Sequence, residues 1–370
     1  MTDEAADHVA RWVRPEIRAL SAYHVPDASG LIKLDAMENP YGWPAELREE
    51  WAALARATAV NRYPDPRAQP LKDALRAAMN IPAAAGILLG NGSDEIIQTI
   101  ALALAGPDRT VLTVEPGFVM YRMIATFAGM RYCGVPLRAA DFALDLPALR
   151  AAIEAHRPAV VFLAQPNNPT GNCFDEAALF EVIEAVPGLV VVDEAYAPFT
   201  DASLLPRVGE WPNLLVMRTV SKMGLAGLRL GYLAGPAAWL DELDKVRLPY
   251  NVNVLTQRAA ELALRHKAVL DAQTAAIRTE RAVLHGALAT LPGVTPYPSE
   301  ANFILVRVPA GRAGALFAGL RERGVLVKNL HGGHPLLADC LRVTVGTPQE
   351  NAAFLAAFAA CLEGGTAGRG

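Results

Sequence analysis

Residues 160–196 read VVFLAQPNNPTGNCFDEAALFEVIEAVPGLVVVDEAY, and this stretch decides the fold. The runs Val160–Ala164 and Leu189–Asp193 are short and continuously apolar, which is typical of strands buried on both faces of a parallel sheet. Between them, Asp175–Val186 has apolar residues at helical spacing and begins with an aspartate that can cap a helix. The stretch therefore predicts two buried parallel strands joined by a helix.

The same alternation extends outward from this unit in both directions. Further strands are predicted at Ile87–Leu89, Thr110–Glu115, Leu214–Arg218 and Leu228–Ala234. Further helices are predicted at Asp94–Ala105 and Asp145–His156. Because strands and helices alternate over so long a stretch, we expect a doubly wound α/β domain with a mostly parallel sheet.

The pattern changes after about Tyr250, which indicates a second domain. Thr256–Leu291 is rich in Ala, Leu and Arg and predicts one or two helices. Short strands are then predicted at Asn302–Val308, Leu326–Asn329 and Leu341–Val345. We therefore expect an N-terminal segment, residues 1–45, that packs with a small α+β domain, residues 256–370. Residues 46–255 form the large α/β domain in this division.

Composition excludes several classes of protein. Apolar residues make up 52% of the 370, enough for a sizeable core, and the formal net charge of −4 argues against a nucleic-acid or membrane-surface protein. The N-terminus has no apolar stretch typical of a signal peptide, and no apolar run has the length of a membrane span. The four cysteines are dispersed, which fits a reducing compartment. We expect a cytoplasmic protein.

Polar residues follow several of the predicted strands, at the sheet edge where ligands of α/β proteins bind. Gly90–Glu95 is a glycine-containing turn that leads into a helix, a geometry that offers backbone N–H groups to a phosphate. Asn167 and Asn168 lie in a turn after the strand Val160–Ala164. Asp193 ends a buried strand, where a carboxylate is costly unless it is paired. Each pattern alone has a plain structural alternative. The turn Gly90–Glu95 could simply cap a helix, the two asparagines could lie in an ordinary turn, and Asp193 could make a structural hydrogen bond.

Lysine is rare, so the search for a reactive amine is short: the chain has six lysines. Lys222 follows the predicted strand Leu214–Arg218 and precedes small and apolar residues. Desolvation there would lower the pKa of its amine, which Schiff-base chemistry requires, although a plain strand-end lysine is the alternative. Together with Asp193, Arg229 and the turn Gly90–Glu95, Lys222 completes the set of groups that holds pyridoxal phosphate (PLP).

Four motifs resemble those of the fold-type-I PLP-dependent aminotransferases, in the same order and near the same spacing. They are Asn167–Gly171, Asp193–Tyr196, Ser221–Lys222 and Gly227–Gly231. The likeness covers most of the chain. Further motifs resemble the histidinol-phosphate aminotransferase group within this family: Leu34–Gly42, Asn61–Pro64, Gly90–Glu95 and Leu341–Thr347.

The resemblance implies a role for each cofactor-site residue. Lys222 would form the Schiff base with PLP and move the substrate proton, and Asp193 would pair with the protonated pyridine nitrogen. Asn168 and Tyr196 would hydrogen-bond the ring hydroxyl, and Phe118 would stack on the ring. The implied phosphate ligands are Ser93, Asp94, Thr219, Ser221 and Arg229. Catalysis would therefore depend on Lys222, Asp193 and Tyr196.

The resemblance also implies substrates and a partner. The reaction would convert histidinol phosphate and 2-oxoglutarate into imidazole-acetol phosphate and glutamate, a step of histidine biosynthesis. The implied substrate contacts are Tyr23, Asn39, Asn302, Lys328 and Arg342. Tyr63 would reach the cofactor phosphate of the neighbouring subunit, which implies a homodimer with a shared active site.

The sequence departs from the family pattern at three places. Met37 stands where an asparagine is more usual. Lys328 stands where many relatives have an arginine, and a lysine keeps the positive charge but lacks the bidentate fork of arginine. Arg229 lies seven residues after Lys222, one fewer than in many members. His331 and His334 lack a nearby acidic or cysteine partner, so we expect a plain loop there and no metal site.

Other functions on the same scaffold stay open at this point. An aromatic or broad-specificity amino-acid aminotransferase and a threonine-phosphate decarboxylase would both keep Lys222 and Asp193. They differ in whether Arg342 and Lys328 meet a carboxylate or a phosphate. A PLP-binding transcriptional regulator is disfavoured, because the first 45 residues are too short and too acidic for a DNA-binding module. A catalytically silent homologue is disfavoured because every cofactor-contacting residue type is present.

Overall fold

The computed structural model describes residues 2–22 and 25–364. These residues contain a seven-stranded sheet, a four-stranded sheet and a two-stranded sheet, with helices around them. Tyr23, a predicted substrate contact, lies outside the described residues. None of the helices in the described ranges combines the length and the apolar character needed to cross a bilayer.

The seven-stranded sheet is mostly parallel. In spatial order its strands are Gly86–Gly90, Gly231–Gly235, Leu214–Thr219, Leu189–Asp193, Val160–Ala164, Thr110–Glu115 and Arg131–Pro136. Gly231–Gly235 runs antiparallel to both of its neighbours, and the other six strands share one direction. The carboxyl ends of six strands and the start of the seventh therefore meet at one edge of the sheet.

Both faces of this sheet are buried, which explains the continuous apolar runs of the strands. Val190 and Val192 pack into one apolar cluster, and Leu189 and Val191 pack into another. Since successive strand residues point to opposite faces, the two clusters lie on opposite sides of the sheet. The helices of this part of the chain are Ala45–Ala57, Gln69–Met79, Ser93–Leu104, Val119–Phe127, Leu146–His156, Glu176–Ala185 and Ala237–Asp244. Short 3-10 turns lie at Ala197–Phe199, Leu205–Arg207, Ser221–Met223 and Ala226–Leu228.

The four-stranded sheet is antiparallel and belongs to the C-terminal part of the chain. Its strands, in spatial order, are Lys328–Asn329, Cys340–Thr344, Phe303–Arg307 and Thr295–Pro296. The helices of this part are Val254–Arg265, Lys267–Ala289, Ala313–Glu322 and Pro348–Glu363, with a 3-10 turn at Pro335–Leu337. Phe303, Phe354 and Phe358 are buried in a third apolar cluster between sheet and helices. A capping box between Thr347 and Glu350 begins the last helix.

The N-terminal segment contacts both parts of the molecule. Its helices are Thr2–Trp12 and Pro15–Arg18. The strand Ile32–Lys33 pairs in parallel with Val325–Leu326, which ties the segment to the C-terminal part. Arg14, however, donates a hydrogen bond of 2.6 Å to the carbonyl oxygen of Phe127, beside the large sheet. The division of the chain at residues 45 and 255 stays a prediction.

Most predicted elements match the structure within a few residues. Asp145 and Asp175 cap their helices by accepting hydrogen bonds from backbone N–H groups, as expected. The strand predicted at Leu228–Ala234 begins only at Gly231, because Arg229 has a left-handed backbone conformation, φ +50°. The strand Arg131–Pro136 was not predicted, since it lies at the sheet edge, is half-exposed and contains a glycine and a proline.

Candidate active site

A cavity of about 390 Å³ opens at the edge where the carboxyl ends of the large-sheet strands meet. Ten of the residues predicted to hold the cofactor line it: Ser93, Asp94, Phe118, Asn168, Asp193, Tyr196, Thr219, Ser221, Lys222 and Arg229. They come from five regions of the chain that are distant in sequence, at residues 93–94, 118, 168, 193–196 and 219–229. The topology of the sheet brings these segments together, because each follows or precedes a strand at the same edge.

The turn before the helix Ser93–Leu104 forms a cradle at one end of the cavity. No side chain caps this helix, so its first N–H groups are available to an anion. Gly92 allows close approach: a Cβ atom there would lie 2.6 Å from Nη2 of Arg229. The hydroxyl oxygens of Thr219 and Ser221 lie 2.8 Å apart on the same side of the cavity. Together these groups form a site with the donors and the positive charge that a phosphate requires.

Lys222 lies on the short turn Ser221–Met223, just past the strand Leu214–Thr219. Burial, together with the nearby charge of Arg342, lowers the pKa of its amine to about 8. The Nζ atom donates a hydrogen bond of 3.3 Å to the carbonyl oxygen of Ala36. A far larger fraction of this amine is neutral near pH 7 than of an exposed lysine, so the amine is suited to covalent chemistry.

Asp193 is buried at the end of its strand, and both of its oxygen atoms accept hydrogen bonds. Tyr121 donates its hydroxyl to Oδ2 at 2.7 Å, and the N–H group of Ala195 donates to Oδ1 at 3.1 Å. Burial raises the pKa of Asp193 to about 6, while these two bonds act to lower it. At neutral pH the carboxylate is therefore mostly ionised and can hold a proton on a nearby ring nitrogen.

Aromatic side chains form the walls between these charged groups. The ring of Phe118 packs edge-on against Tyr121, with centroids 5.4 Å apart, and lines the cavity. The ring centroid of Tyr196 lies 5.7 Å from Nζ of Lys222. Burial raises the pKa of Tyr196, so its hydroxyl stays protonated at neutral pH and can donate a hydrogen bond into the cavity.

Arg342 does not itself line the cavity, but it bonds a residue that does. Its Nη1 atom donates to Oδ1 of Asn168 at 2.5 Å, and its Nη2 atom donates to the carbonyl oxygen of Asp35 at 3.0 Å. Asn168 itself lines the cavity, so Arg342 lies immediately behind the wall. The guanidinium is also 5.4 Å from the ring centroid of Phe303. Arg342 therefore links the C-terminal sheet to the cofactor edge of the large sheet.

The other predicted site residues do not line the cavity. Asn39 donates to Gln273 at 3.1 Å, and Asn302 donates to the carbonyl oxygen of Met37 at 2.9 Å, so both side chains hold neighbouring segments. Lys328 pairs with Arg342 on the adjacent strand. Tyr63 is 81% exposed and stacks on Tyr250 at 4.5 Å, outside the cavity. A role for Tyr63 in a cofactor site therefore requires a second chain.

Two features of the cavity have no clear signal in the sequence. Tyr121 falls in a helix at core spacing, and nothing in the sequence distinguishes it from an ordinary core aromatic. The segment Ala36–Glu38 also lines the cavity, although it lies in the N-terminal segment, before the strands and helices of the large domain begin. The motif Leu34–Gly42 contains this segment, but its spacing does not predict which of its residues line the cavity.

The donors present in the cavity fit PLP. PLP has one phosphate, one basic ring nitrogen, one ring hydroxyl and one aldehyde. The cavity offers a cradle for an anion, the buried carboxylate of Asp193, the hydroxyl of Tyr196 and the neutralisable amine of Lys222. Among the described residues no group of three metal-binding side chains occurs.

The sequence model of the aminotransferase class I and II family matches residues 29–358, nearly the whole chain. The chain belongs to this family. Members of the family depend on PLP, which agrees with the donors in the cavity. The aminotransferase is therefore a PLP-dependent enzyme with the fold-type-I architecture that the motifs predicted.

Relatives of this aminotransferase include two proteins of high identity. Histidinol-phosphate aminotransferase 2 of Nitrosococcus oceani is 57% identical over 354 residues, which cover 96% of this chain and 98% of the relative. The histidinol-phosphate aminotransferase of Chromobacterium violaceum is 58% identical over 350 residues, which cover 95% of this chain and 98% of the relative. Among solved structures, the Sinorhizobium meliloti histidinol-phosphate aminotransferase in complex with pyridoxal-5'-phosphate is 25% identical with a TM-score of 0.85, over 95% of this chain and 98% of that one.

The close approach of Gly92 to Arg229 leads to a prediction. In Gly92→Ala, the new Cβ atom would displace the guanidinium by contact at 2.6 Å, and the backbone would be strained at φ +88°. We expect the dissociation constant of PLP, measured by absorbance titration of the apoenzyme, to rise at least about tenfold, or ~1.4 kcal/mol.

Gly209→Ala is the matched control for this prediction. Gly209 has φ +102°, but a Cβ atom there would have no heavy atom within 4 Å. The control variant therefore carries the backbone strain without the clash, and its PLP affinity should stay at the wild-type level. Equal loss of affinity in both variants would contradict the cradle assignment.

Proposed function

We propose that this enzyme transfers the amino group of L-histidinol phosphate to 2-oxoglutarate, giving imidazole-acetol phosphate and L-glutamate in histidine biosynthesis. One observation supports the reaction type. The buried amine of Lys222, whose pKa is lowered, lies in the same cavity as Asp193 and a site for an anion. The substrate is supported by the two relatives that are 57% and 58% identical over nearly the whole chain. Dispersed cysteines fit a cytoplasmic location, which is part of the proposal.

Each group of the chain has a defined task in this proposal. When bound, PLP supplies an electron sink for the negative charge that develops at the substrate carbon bearing the amino group. Lys222 holds the cofactor covalently through Nζ and, once released, moves the proton at that carbon. Asp193 keeps a proton on the ring nitrogen, and Tyr121 and Ala195 hold the carboxylate in place. The cradle around Arg229 binds the cofactor phosphate.

Ring contacts come from the walls of the cavity. Asn168 and Tyr196 would hydrogen-bond the ring hydroxyl, and Phe118 would lie against the ring; all three line the cavity. Arg342 holds Asn168 by its bond of 2.5 Å, and it brings a positive charge close to the substrate. A planar guanidinium fork matches phosphate and carboxylate alike, so Arg342 is suited to both substrates of a transamination once its Nη atoms exchange their bonds to Asn168 and Asp35 for the substrate. Lys328, beside it, adds a second cation.

A substrate comparison tests the proposed reaction. The purified holoenzyme is given L-histidinol phosphate, L-phenylalanine or O-phospho-L-threonine, each with 2-oxoglutarate, and glutamate formation is measured. We expect kcat/KM for histidinol phosphate to exceed that for phenylalanine by at least about tenfold, or ~1.4 kcal/mol. A preference for phenylalanine would replace the proposal with an aromatic aminotransferase. Carbon dioxide release from phosphothreonine would replace it with a decarboxylase.

The covalent role of Lys222 is tested separately. Lys222→Ala should lose turnover and the covalent link while keeping the fold, because no other amine lines the cavity among the described residues. Borohydride reduction of the wild type, followed by peptide mass spectrometry, should place the phosphopyridoxyl group on Lys222. Lys72→Ala is the matched control, since burial also lowers the pKa of Lys72, which lies outside the cavity. A label on any other lysine would overturn the assignment.

We further propose a homodimer in which Tyr63 of each protomer completes the phosphate site of its partner. The stacked pair of Tyr63 and Tyr250 supports this, because it presents a large aromatic surface outside the cavity of its own chain. Exposed aromatic pairs of this kind are typical of protein interfaces.

Mixed dimers test the shared site. A hybrid of a Lys222→Ala chain and a Tyr63→Phe chain has one intact site and one doubly altered site if Tyr63 acts across the interface. Its activity should therefore exceed the mean of the parent dimers. The reciprocal control is a hybrid of a wild-type chain and a chain that carries both changes. The activity of this hybrid should fall below the mean of the wild-type dimer and the doubly altered dimer. If verified hybrids of both kinds have activities equal to the means of their parent dimers, the shared site is ruled out.

A further inference from the structure

Met37 has an unusual backbone conformation for its residue type. Its φ is +53°, in the left-handed region where a long side chain is disfavoured and asparagine or glycine is better tolerated. Such conformations persist when the surrounding structure enforces them, and they cluster at functional sites. Met37 lies in the segment Ala36–Glu38, which lines the cavity together with residues from the cofactor edge of the large sheet.

The contacts that hold Met37 involve its main chain. Its N–H group donates to Oγ1 of Thr344 at 3.0 Å, and its carbonyl oxygen accepts from Nδ2 of Asn302 at 2.9 Å. Both partners lie at the start or end of strands of the C-terminal sheet. An asparagine at position 37 would make the same two bonds with less backbone strain. Local structure therefore explains the conformation of this residue but does not explain a methionine side chain.

The position of the side chain suggests its task. Met37 lines the cavity and also packs against the apolar cluster of the C-terminal part. Charged groups such as Lys222, Asp193 and Arg229 share the cavity with the aromatic rings of Phe118 and Tyr196. An apolar, polarisable thioether in these surroundings makes favourable contacts with flat aromatic rings.

We propose that Met37 is a specificity-determining residue: its side chain forms the wall against which the ring of the amino donor lies. It thereby favours donors that carry a flat ring over glutamate, whose side chain is a carboxylate. The proposal rests on the proposed function, because it assumes a ring-bearing donor. The backbone strain at Met37 is then retained because asparagine would replace this wall with a polar amide.

The experiment compares two half-reactions in Met37→Asn. Single-turnover kinetics are measured with L-histidinol phosphate and with L-glutamate as donors to the PLP form of the enzyme. We expect the KM for histidinol phosphate to rise about tenfold, with kcat within about twofold, because a ground-state contact is lost. The KM for glutamate should change less than about twofold. The melting temperature should rise by about 1 °C or more as strain is relieved.

Two further variants separate specificity from strain. Met37→Leu keeps an apolar side chain of similar volume, so the ratio of the two KM values should shift much less than in Met37→Asn. Arg157→Asn relieves strain at another left-handed residue, φ +41°, which is exposed at the end of the helix Leu146–His156. It should raise the melting temperature without changing either KM.

Several results would overturn the proposal. An unchanged KM for histidinol phosphate in Met37→Asn, or an equal rise for both donors, removes the specificity role. So does a loss in Met37→Leu as large as that in Met37→Asn. If the wild type uses phenylalanine and not histidinol phosphate, the proposed substrate fails, but the same comparison with phenylalanine as the ring-bearing donor still decides the role of Met37.

Discussion

Desolvation of charged groups at the ends of buried strands is the constraint on which this site depends. A lysine and an aspartate at such positions lose the stabilisation of water, which lowers the pKa of Lys222 to about 8 and raises that of Asp193 to about 6. The first shift favours the neutral amine of Lys222, which is the nucleophilic form. The second shift works against the ionised form of Asp193, but at a pKa of about 6 the carboxylate is still mostly ionised at neutral pH and can hold a proton on a ring nitrogen. Both shifts arise because the strands of the parallel sheet are buried on two faces.

The cost of burying Asp193 is offset by specific hydrogen bonds. Tyr121 and the N–H group of Ala195 occupy one oxygen each, and Tyr121 is itself fixed between Phe162, at 4.9 Å, and Phe118, at 5.4 Å. Aromatic packing thus sets the position of the carboxylate. Because Phe118 also lines the cavity, the wall of the cofactor site and the support of its carboxylate form one packed unit.

Much of this arrangement could be predicted from the sequence, for a physical reason. Strands buried on both faces are continuous apolar runs, and the residues that end them, such as Asp193, must lie at the ligand edge. Tyr121 could not be predicted, because a core tyrosine and one that bonds a carboxylate have the same helical spacing. The substrate contacts of Asn39 and Asn302 stay predictions, and the structure shows that their side chains also bond neighbouring segments. The edge strand Arg131–Pro136 lacks an apolar run, since one face is partly exposed.

The substrate side of the cavity depends on contacts between the two parts of the chain. Arg342, on the C-terminal sheet, bonds Asn168 at the large-sheet edge and the carbonyl oxygen of Asp35 in the N-terminal segment. Lys222 reaches the same segment through the carbonyl oxygen of Ala36. The charge of Arg342 also lowers the pKa of Lys222. A shift of the C-terminal sheet would therefore move the cavity wall at Asn168 and change the pKa of Lys222 together, which couples the position of the C-terminal part to the charge of this amine.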